Sequence, residues 1–127
     1  MKKNNIILLA VLGIAILIVG FLIFSKKGAD NNGDISNILF YGDGCSHCAN
    51  VEKYITDNNI EGKVEFVRKE VFNNQDNAKI LVEKAKFCNI PTDNGVGVPF
   101  FWIVESKTCL VGETDIIDFL AKATTNE

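Results

Sequence analysis

The sequence has 127 residues, which is enough for one small domain and one appended segment. It carries 13 Lys and Arg residues against 16 Asp and Glu residues, a formal net charge of −3. No basic run and no basic-aromatic patch occurs, so the composition argues against nucleic acid as a partner. The residues best suited to chemistry are four cysteines and a single histidine.

The N-terminal segment predicts a membrane anchor over residues 1–25. Residues 4–25 contain no charge, and a helix over about residues 5–24 is long enough to cross a hydrocarbon core of about 30 Å. A cleavable signal peptide has a shorter apolar core that ends at small residues, whereas this stretch ends in FLIFSKKGAD. We therefore expect an uncleaved anchor rather than a signal peptide or a buried core helix.

Residues 26–35 read KKGADNNGDI and predict a flexible linker, because Asn, Gly and Asp dominate them. The linker leads into a folded domain over residues 36–127. That length is near the size at which a single hydrophobic core becomes adequate. We expect the domain to be a monomer.

Hydrophobic spacing in the domain predicts the element order β-α-β-α-β-β-α. The apolar run NILFY, stopped by GDG, is typical of a buried strand, and Cys48, Val51 and Ile55 recur at helical spacing. We expect Thr114 to cap the last helix. The predicted strands cover residues 37–41, 63–71, 98–104 and 108–111, and the predicted helices cover residues 46–58, 75–88 and 114–123.

This element order predicts an α/β fold with a four-stranded mixed sheet and helices on its faces. The first strand, helix and second strand favour a parallel pair joined by a right-handed crossover. The short ESK turn between the last two strands favours an antiparallel hairpin.

The motif CSHC, which runs from Cys45 to Cys48, lies where the first predicted strand meets the first predicted helix. The free N–H groups of a first helical turn stabilise an anion, so a Cys45 thiolate should have a lowered pKa. A protonated His47 would add positive charge beside that thiolate. Cys48 lies one turn further on, close enough to attack a mixed disulfide formed on Cys45. The pattern predicts a dithiol-disulfide exchanger in which Cys45 attacks and Cys48 resolves.

Three other interpretations of the motif stay open. A zinc site needs about four ligands in a closed shell. Cys45, His47 and Cys48 are crowded into four residues, and the sequence has no second histidine for zinc or for a copper chaperone, so we expect no metal. The cysteine pair could instead be a structural disulfide in a redox-inert interaction domain. His47 could be an exposed residue at the helix start without a catalytic role.

With CSHC after the first strand and GVPF, residues 97–100, entering the third, residues 36–124 resemble the thioredoxin/glutaredoxin superfamily. The resemblance implies a thioredoxin-like fold with a cis peptide bond before Pro99. It also implies that Pro99 lies against the two cysteines and that the backbone of Val98 pairs with substrate. The sequence departs from thioredoxins at Gly44, where they place a Trp.

The predicted function is that of a membrane-tethered thiol-disulfide oxidoreductase. It would exchange disulfides with exported proteins or with a membrane-embedded redox partner, and it would need no cofactor because the cysteines carry the electrons. Four cysteines in a small domain and a weak positive-inside bias predict a single-pass protein of the cell membrane, with its domain on the periplasmic or extracellular side. A His just before the second cysteine is similar to the pattern in disulfide oxidases and isomerases of oxidising compartments. Because His47 and the helix N-terminus stabilise the thiolate, and so the reduced form, we expect a more oxidising potential than that of thioredoxin, which is about −270 mV.

Two further cysteines, Cys88 and Cys109, remain once the CSHC pair is assigned to exchange, and we expect them to form a second, structural disulfide. Cys88 continues the inward-facing stripe of Leu81 and Ala85 near the end of the second helix, and Cys109 lies in the last strand. The alternative is that both are buried free thiols.

Overall fold

The structure, a computed structural model, describes residues 36–125 and, before them, only Lys3 and Ile14. Apart from Ile14, the predicted membrane span lies outside the described residues, and so does the whole linker. Within the part that the structure describes, no helix combines the length and the hydropathy of a membrane span. Residues 36–125 all belong to one unit of the chain, Asp34–Glu127.

The described domain is a mixed α/β fold built on one four-stranded sheet. Its elements are β1 (Asn37–Tyr41), α1 (Ser46–Asp57), a 3-10 turn (Ile60–Gly62), β2 (Phe66–Glu70), α2 (Gln75–Phe87), β3 (Phe100–Ile103), β4 (Thr108–Val111) and α3 (Glu113–Thr125). Along the sheet the strands follow the order β2-β1-β3-β4, with β1 parallel to β2 and antiparallel to β3, and β3 antiparallel to β4. The predicted four-stranded mixed sheet with three helices is therefore confirmed, and it is compatible with a thioredoxin-like fold.

Strands β2 and β3 begin later than the sequence predicts. The N–H groups of Lys63 and Val64 donate to the carbonyl of Ile60 at 2.9 and 2.8 Å, so this segment closes the 3-10 turn before β2 begins at Phe66. Pro99 has no N–H to contribute to a ladder, and β3 begins directly after it. Both differences arise from backbone hydrogen bonding rather than from side-chain pattern.

The last helix begins at Glu113, so the prediction that Thr114 caps it is wrong. The carbonyl of Gly112 accepts a bond from the N–H of Ile116 at 3.4 Å, which places Gly112 at the cap position. Gly112 has φ +94°, a left-handed conformation that glycine adopts without a steric penalty. Thr114 therefore lies inside the first turn of α3.

Helices cover both faces of the sheet. Successive residues of β1 and β3 point to opposite sides, so each of these strands contributes to both faces. On one face, Leu39 and Phe101 pack against α1 and α3 in a cluster of fully buried residues. On the other face, Phe40 and Phe100 pack against α2, with their rings 5.9 Å apart in an edge-to-face arrangement. Helices α1 and α3 thus share one face of the sheet and contact each other.

Candidate functional site

Cys45 is the N-cap residue of α1, and its sulfur faces the open end of that helix. Its backbone is extended, with φ −75° and ψ 113°, and its Sγ accepts a hydrogen bond from the N–H of Cys48 at 3.2 Å. The first turn of α1 itself contains no acidic residue. A thiolate on Cys45 would meet a backbone donor already aimed at the sulfur, which is the arrangement that stabilises thiolate.

The structure joins Cys45 and Cys48 in a disulfide, with their Cα atoms 5.3 Å apart. The two residues differ in exposure, because Cys45 is half-buried whereas Cys48 is only 4% exposed. Cys48 is one of the three buried residues of α1, with Val51 and Ile55. A partner approaching from solvent therefore reaches the sulfur of Cys45 more easily than that of Cys48.

The segment before β3 lies directly beside this sulfur. The Sγ atom of Cys45 lies 3.7 Å from the carbonyl oxygen of Val98. The peptide bond between Val98 and Pro99 is cis, Val98 is half-buried, and Pro99 is fully buried. The structure therefore brings Val98 next to Cys45, although a substrate-binding role for Val98 and Pro99 stays a prediction.

His47 contacts α3 through Glu113, which carries no signal for this contact in the sequence. The Nδ1 atom of His47 lies 2.8 Å from Oε2 of Glu113, and the same oxygen accepts a bond from Nδ2 of Asn50 at 3.0 Å. The bond from His47, followed by the bond from Asn50, holds the pKa of Glu113 below its ordinary value despite an opposing effect of burial. The His47 side chain itself is 71% exposed.

The loop that precedes Cys45 is held by the carboxylate of Glu70, at the end of β2. Oε1 accepts from the N–H groups of Phe72 and Asp43 at 2.8 and 3.3 Å, and Oε2 accepts from the N–H of Asn73 at 2.8 Å. Burial raises the pKa of Glu70, but the backbone donors outweigh it, so the pKa lies below its ordinary value. The Phe72 ring stands 61% exposed beside this loop. One carboxylate thus joins the loop before the CSHC motif to the loop before α2.

A second disulfide joins Cys88 to Cys109, with Cα atoms 6.2 Å apart. Cys88 is the C-cap residue of α2, and Cys109 lies in β4 opposite Trp102 of β3. The bond therefore crosses from the end of α2 to the edge strand of the sheet. Its purely structural role stays a prediction.

The described residues offer no evident metal centre. Among residues 36–125, no group of three or more His, Cys, Asp or Glu side chains is arranged to hold a metal ion. His47, the only histidine of the sequence, has its Nδ1 engaged by Glu113. The chemistry that the arrangement supports directly is that of the two sulfurs.

The fold and the site together define a class, namely a mixed α/β domain whose Cys-x-x-Cys pair is capable of thiol redox chemistry. No protein-family model matches this chain, and neither a curated protein nor a solved structure matches it. The functional assignment therefore depends on the residues and the geometry of the chain itself.

Proposed function

We propose that this protein is a thioredoxin-like thiol-disulfide oxidoreductase, tethered to the cell membrane, in which Cys45 attacks and Cys48 resolves. The single observation that carries the proposal is the unequal environment of the two sulfurs. Cys45 caps α1, receives a backbone N–H and is half-buried, whereas Cys48 is only 4% exposed. This inequality supports an outer, nucleophilic cysteine and an inner, resolving one.

Exchange proceeds in two steps that balance without a further reagent. In the reducing direction, the Cys45 thiolate attacks one sulfur of a substrate disulfide, which forms a mixed disulfide and releases one substrate thiolate. Cys48 then loses its proton to that thiolate and attacks the sulfur of Cys45, which releases the second substrate thiolate. Two electrons pass to the substrate, and Cys45 and Cys48 become a disulfide. The oxidising direction is the same sequence reversed.

Val98 and Pro99 are the proposed contact for the substrate backbone. The Val98 carbonyl lies 3.7 Å from the sulfur that would carry the mixed disulfide. Val98 is half-buried rather than enclosed, and it precedes β3 instead of pairing within the sheet. An extended segment on either side of a substrate cysteine could add backbone hydrogen bonds here, as peptides do at sheet edges.

The membrane tether and the side of the membrane are proposals that rest on the amino-acid sequence alone. An uncharged stretch over about residues 5–24 has the length of a span, and an oxidising compartment suits a domain with four cysteines. The partners would be exported protein thiols and disulfides or a membrane-embedded redox protein. Labelling of reduced Cys45 in intact cells by a membrane-impermeant maleimide would support this orientation, and protection of Cys45 would reverse it.

Titration in glutathione redox buffers separates the proposed enzyme from a metal-binding module and from a redox-inert domain. We expect a reversible two-electron midpoint that Cys45→Ser abolishes. The matched control is the double variant Cys88→Ala/Cys109→Ala, which should keep the midpoint. One zinc ion per chain in the purified protein, with no such midpoint, would identify a metal site instead. A disulfide that does not equilibrate with glutathione would indicate a redox-inert domain.

A further inference from the structure

We propose that Glu113 is a positioning residue of the Cys45–Cys48 site. Its carboxylate holds the imidazole of His47 against α3 and balances the charge of that imidazole. The proposal rests on the function proposed above and extends it to a residue outside the CSHC motif. Its consequence is that a smaller fraction of Cys45 is ionised in the reduced protein than if His47 stood beside the cysteines without Glu113. Glu113 thereby limits how oxidising the disulfide is.

The Glu113 carboxylate connects the start of α3 to α1. Glu113 Oε2 lies 2.8 Å from Nδ1 of His47 and accepts a hydrogen bond from Nδ2 of Asn50 at 3.0 Å. One carboxylate oxygen therefore contacts two consecutive turns of α1. The Glu113 side chain is 29% exposed whereas that of His47 is 71% exposed. The carboxylate therefore lies between the two helices, and the imidazole extends from it toward solvent.

The backbone fixes the position of Glu113. It is the first residue of α3 and follows Gly112, whose N–H donates to the carbonyl of Pro99 at 2.9 Å. The segment that lies beside Cys45 is thus hydrogen-bonded to the residue immediately before Glu113. Hydrogen bonds thus connect three segments around the disulfide: the start of α1, the segment before β3 and the start of α3.

The electrostatic consequence follows from the charge of the carboxylate. A negative charge near the first turn of α1 disfavours a thiolate at Cys45, and it offsets the positive charge that a protonated His47 supplies there. The other acidic groups on or against these segments are Asp115 in the first turn of α3, Asp43 in the loop before Cys45, and Glu70, whose carboxylate accepts from the N–H of Asp43. Among residues 36–125, only Glu113 bonds to the imidazole.

The test compares Glu113→Gln with Asp115→Asn. Glutamine keeps an oxygen that can accept the His47 bond and removes the charge, so the first variant isolates electrostatics from geometry. Asp115→Asn removes the same charge from an exposed residue two positions further along α3. Two quantities are measured: the ionisation of Cys45 in the reduced protein, followed by the ultraviolet absorbance of the thiolate, and the midpoint against glutathione.

For Glu113→Gln we expect the ionisation constant of Cys45 to rise about threefold, as the loss of one charge at short range in a largely aqueous setting implies. At a pH where the Cys45 thiol is fully ionised, the equilibrium with glutathione should move toward the reduced protein by the same factor, which corresponds to a midpoint about 14 mV more positive. Asp115→Asn should give less than half of either shift. In His47→Ala both quantities should move the opposite way, and His47→Ala/Glu113→Gln should return close to the parent.

Two results would overturn the inference. One is an unchanged or lowered Cys45 ionisation constant in Glu113→Gln, and the other is an equal shift in Asp115→Asn. Either result would leave the proposed function standing as long as the parent protein still shows a reversible midpoint. Conversely, the thiolate titration reports on Glu113 even in a protein that does not equilibrate with glutathione, so the two failures are distinguishable.

Discussion

Removal of the bond between Cys88 and Cys109 should destabilise the domain without altering its proposed redox chemistry. The bond closes a loop with a sequence separation of 21 and joins the C-cap of α2 to β4. In the chain-entropy account, a crosslink over a loop of that length stabilises the fold by about 3 kcal/mol, because it restricts the unfolded chain. Small domains are typically stable by about 5–15 kcal/mol, so this contribution is a large fraction of the total.

The assay is urea-induced unfolding of Cys88→Ala/Cys109→Ala, followed by the fluorescence of Trp102, the single tryptophan of the sequence. Trp102 is only 4% exposed, and its ring lies 5.5 Å from that of Phe87, so unfolding should change its emission strongly. We expect the free energy of unfolding to fall by about 3 kcal/mol. The midpoint of the other cysteine pair should stay where it is.

The matched control is Cys45→Ala/Cys48→Ala, which removes a crosslink with a sequence separation of only 3. The same chain-entropy relation gives about half the loss for so short a loop. Equal losses for the two double variants would refute the loop-length reasoning. A loss below about 1 kcal/mol on removal of the Cys88–Cys109 bond would refute its structural role.

Three further substitutions test the surroundings of the site by urea unfolding. Gly44→Ala should cost about 1 kcal/mol from backbone strain alone, because Gly44 has φ +77° and a Cβ there would meet no atom within 4 Å; a neutral result would contradict this conformation. Arg68→Gln should cost at most about 1 kcal/mol, since the paired bonds from Arg68 to Glu52 are partly exposed, and the loss should shrink in high salt. Glu70→Gln should destabilise the protein at neutral pH, because the pKa of Glu70 is lower in the folded state. The stabilisation by the ionised carboxylate is present above pH 4.5, the ordinary pKa, and is lost as the pH falls through the lowered pKa. A variant that stays less stable than the parent in acid would contradict the assignment.

The sequence predicted those parts of the fold whose signals are local. Strand β1 has the predicted bounds, Asn37–Tyr41, because its apolar run is stopped directly by glycine and aspartate. Helix α1 begins at Ser46 as predicted, one residue after the cysteine that caps it. The later start of β2 depends on the hydrogen bonds to the carbonyl of Ile60, which residue type does not reveal.

The parts of the candidate site that the sequence did not predict depend on tertiary packing. His47 and Glu113 are 66 residues apart, and they meet only because α1 and α3 pack on the same face of the sheet. Glu113 is the first residue of α3, but the predicted helix starts at Thr114 and so leaves Glu113 outside it. The contacts of Glu70 depend likewise on two loops that meet beyond the ends of β1 and β2.

The central claim is that Cys45 attacks and Cys48 resolves, and capture of the mixed disulfide tests it most directly. The reduced variants Cys48→Ala and Cys45→Ala, each with the Cys88–Cys109 bond intact, are incubated with glutathione disulfide and followed by intact-protein mass. We expect Cys48→Ala to accumulate one glutathione on Cys45 rapidly, because no second thiol is present to release it. Cys45→Ala should react far more slowly, because Cys48 is only 4% exposed in the structure. Equal rates, or faster capture on Cys48, would contradict the assignment of the two cysteines.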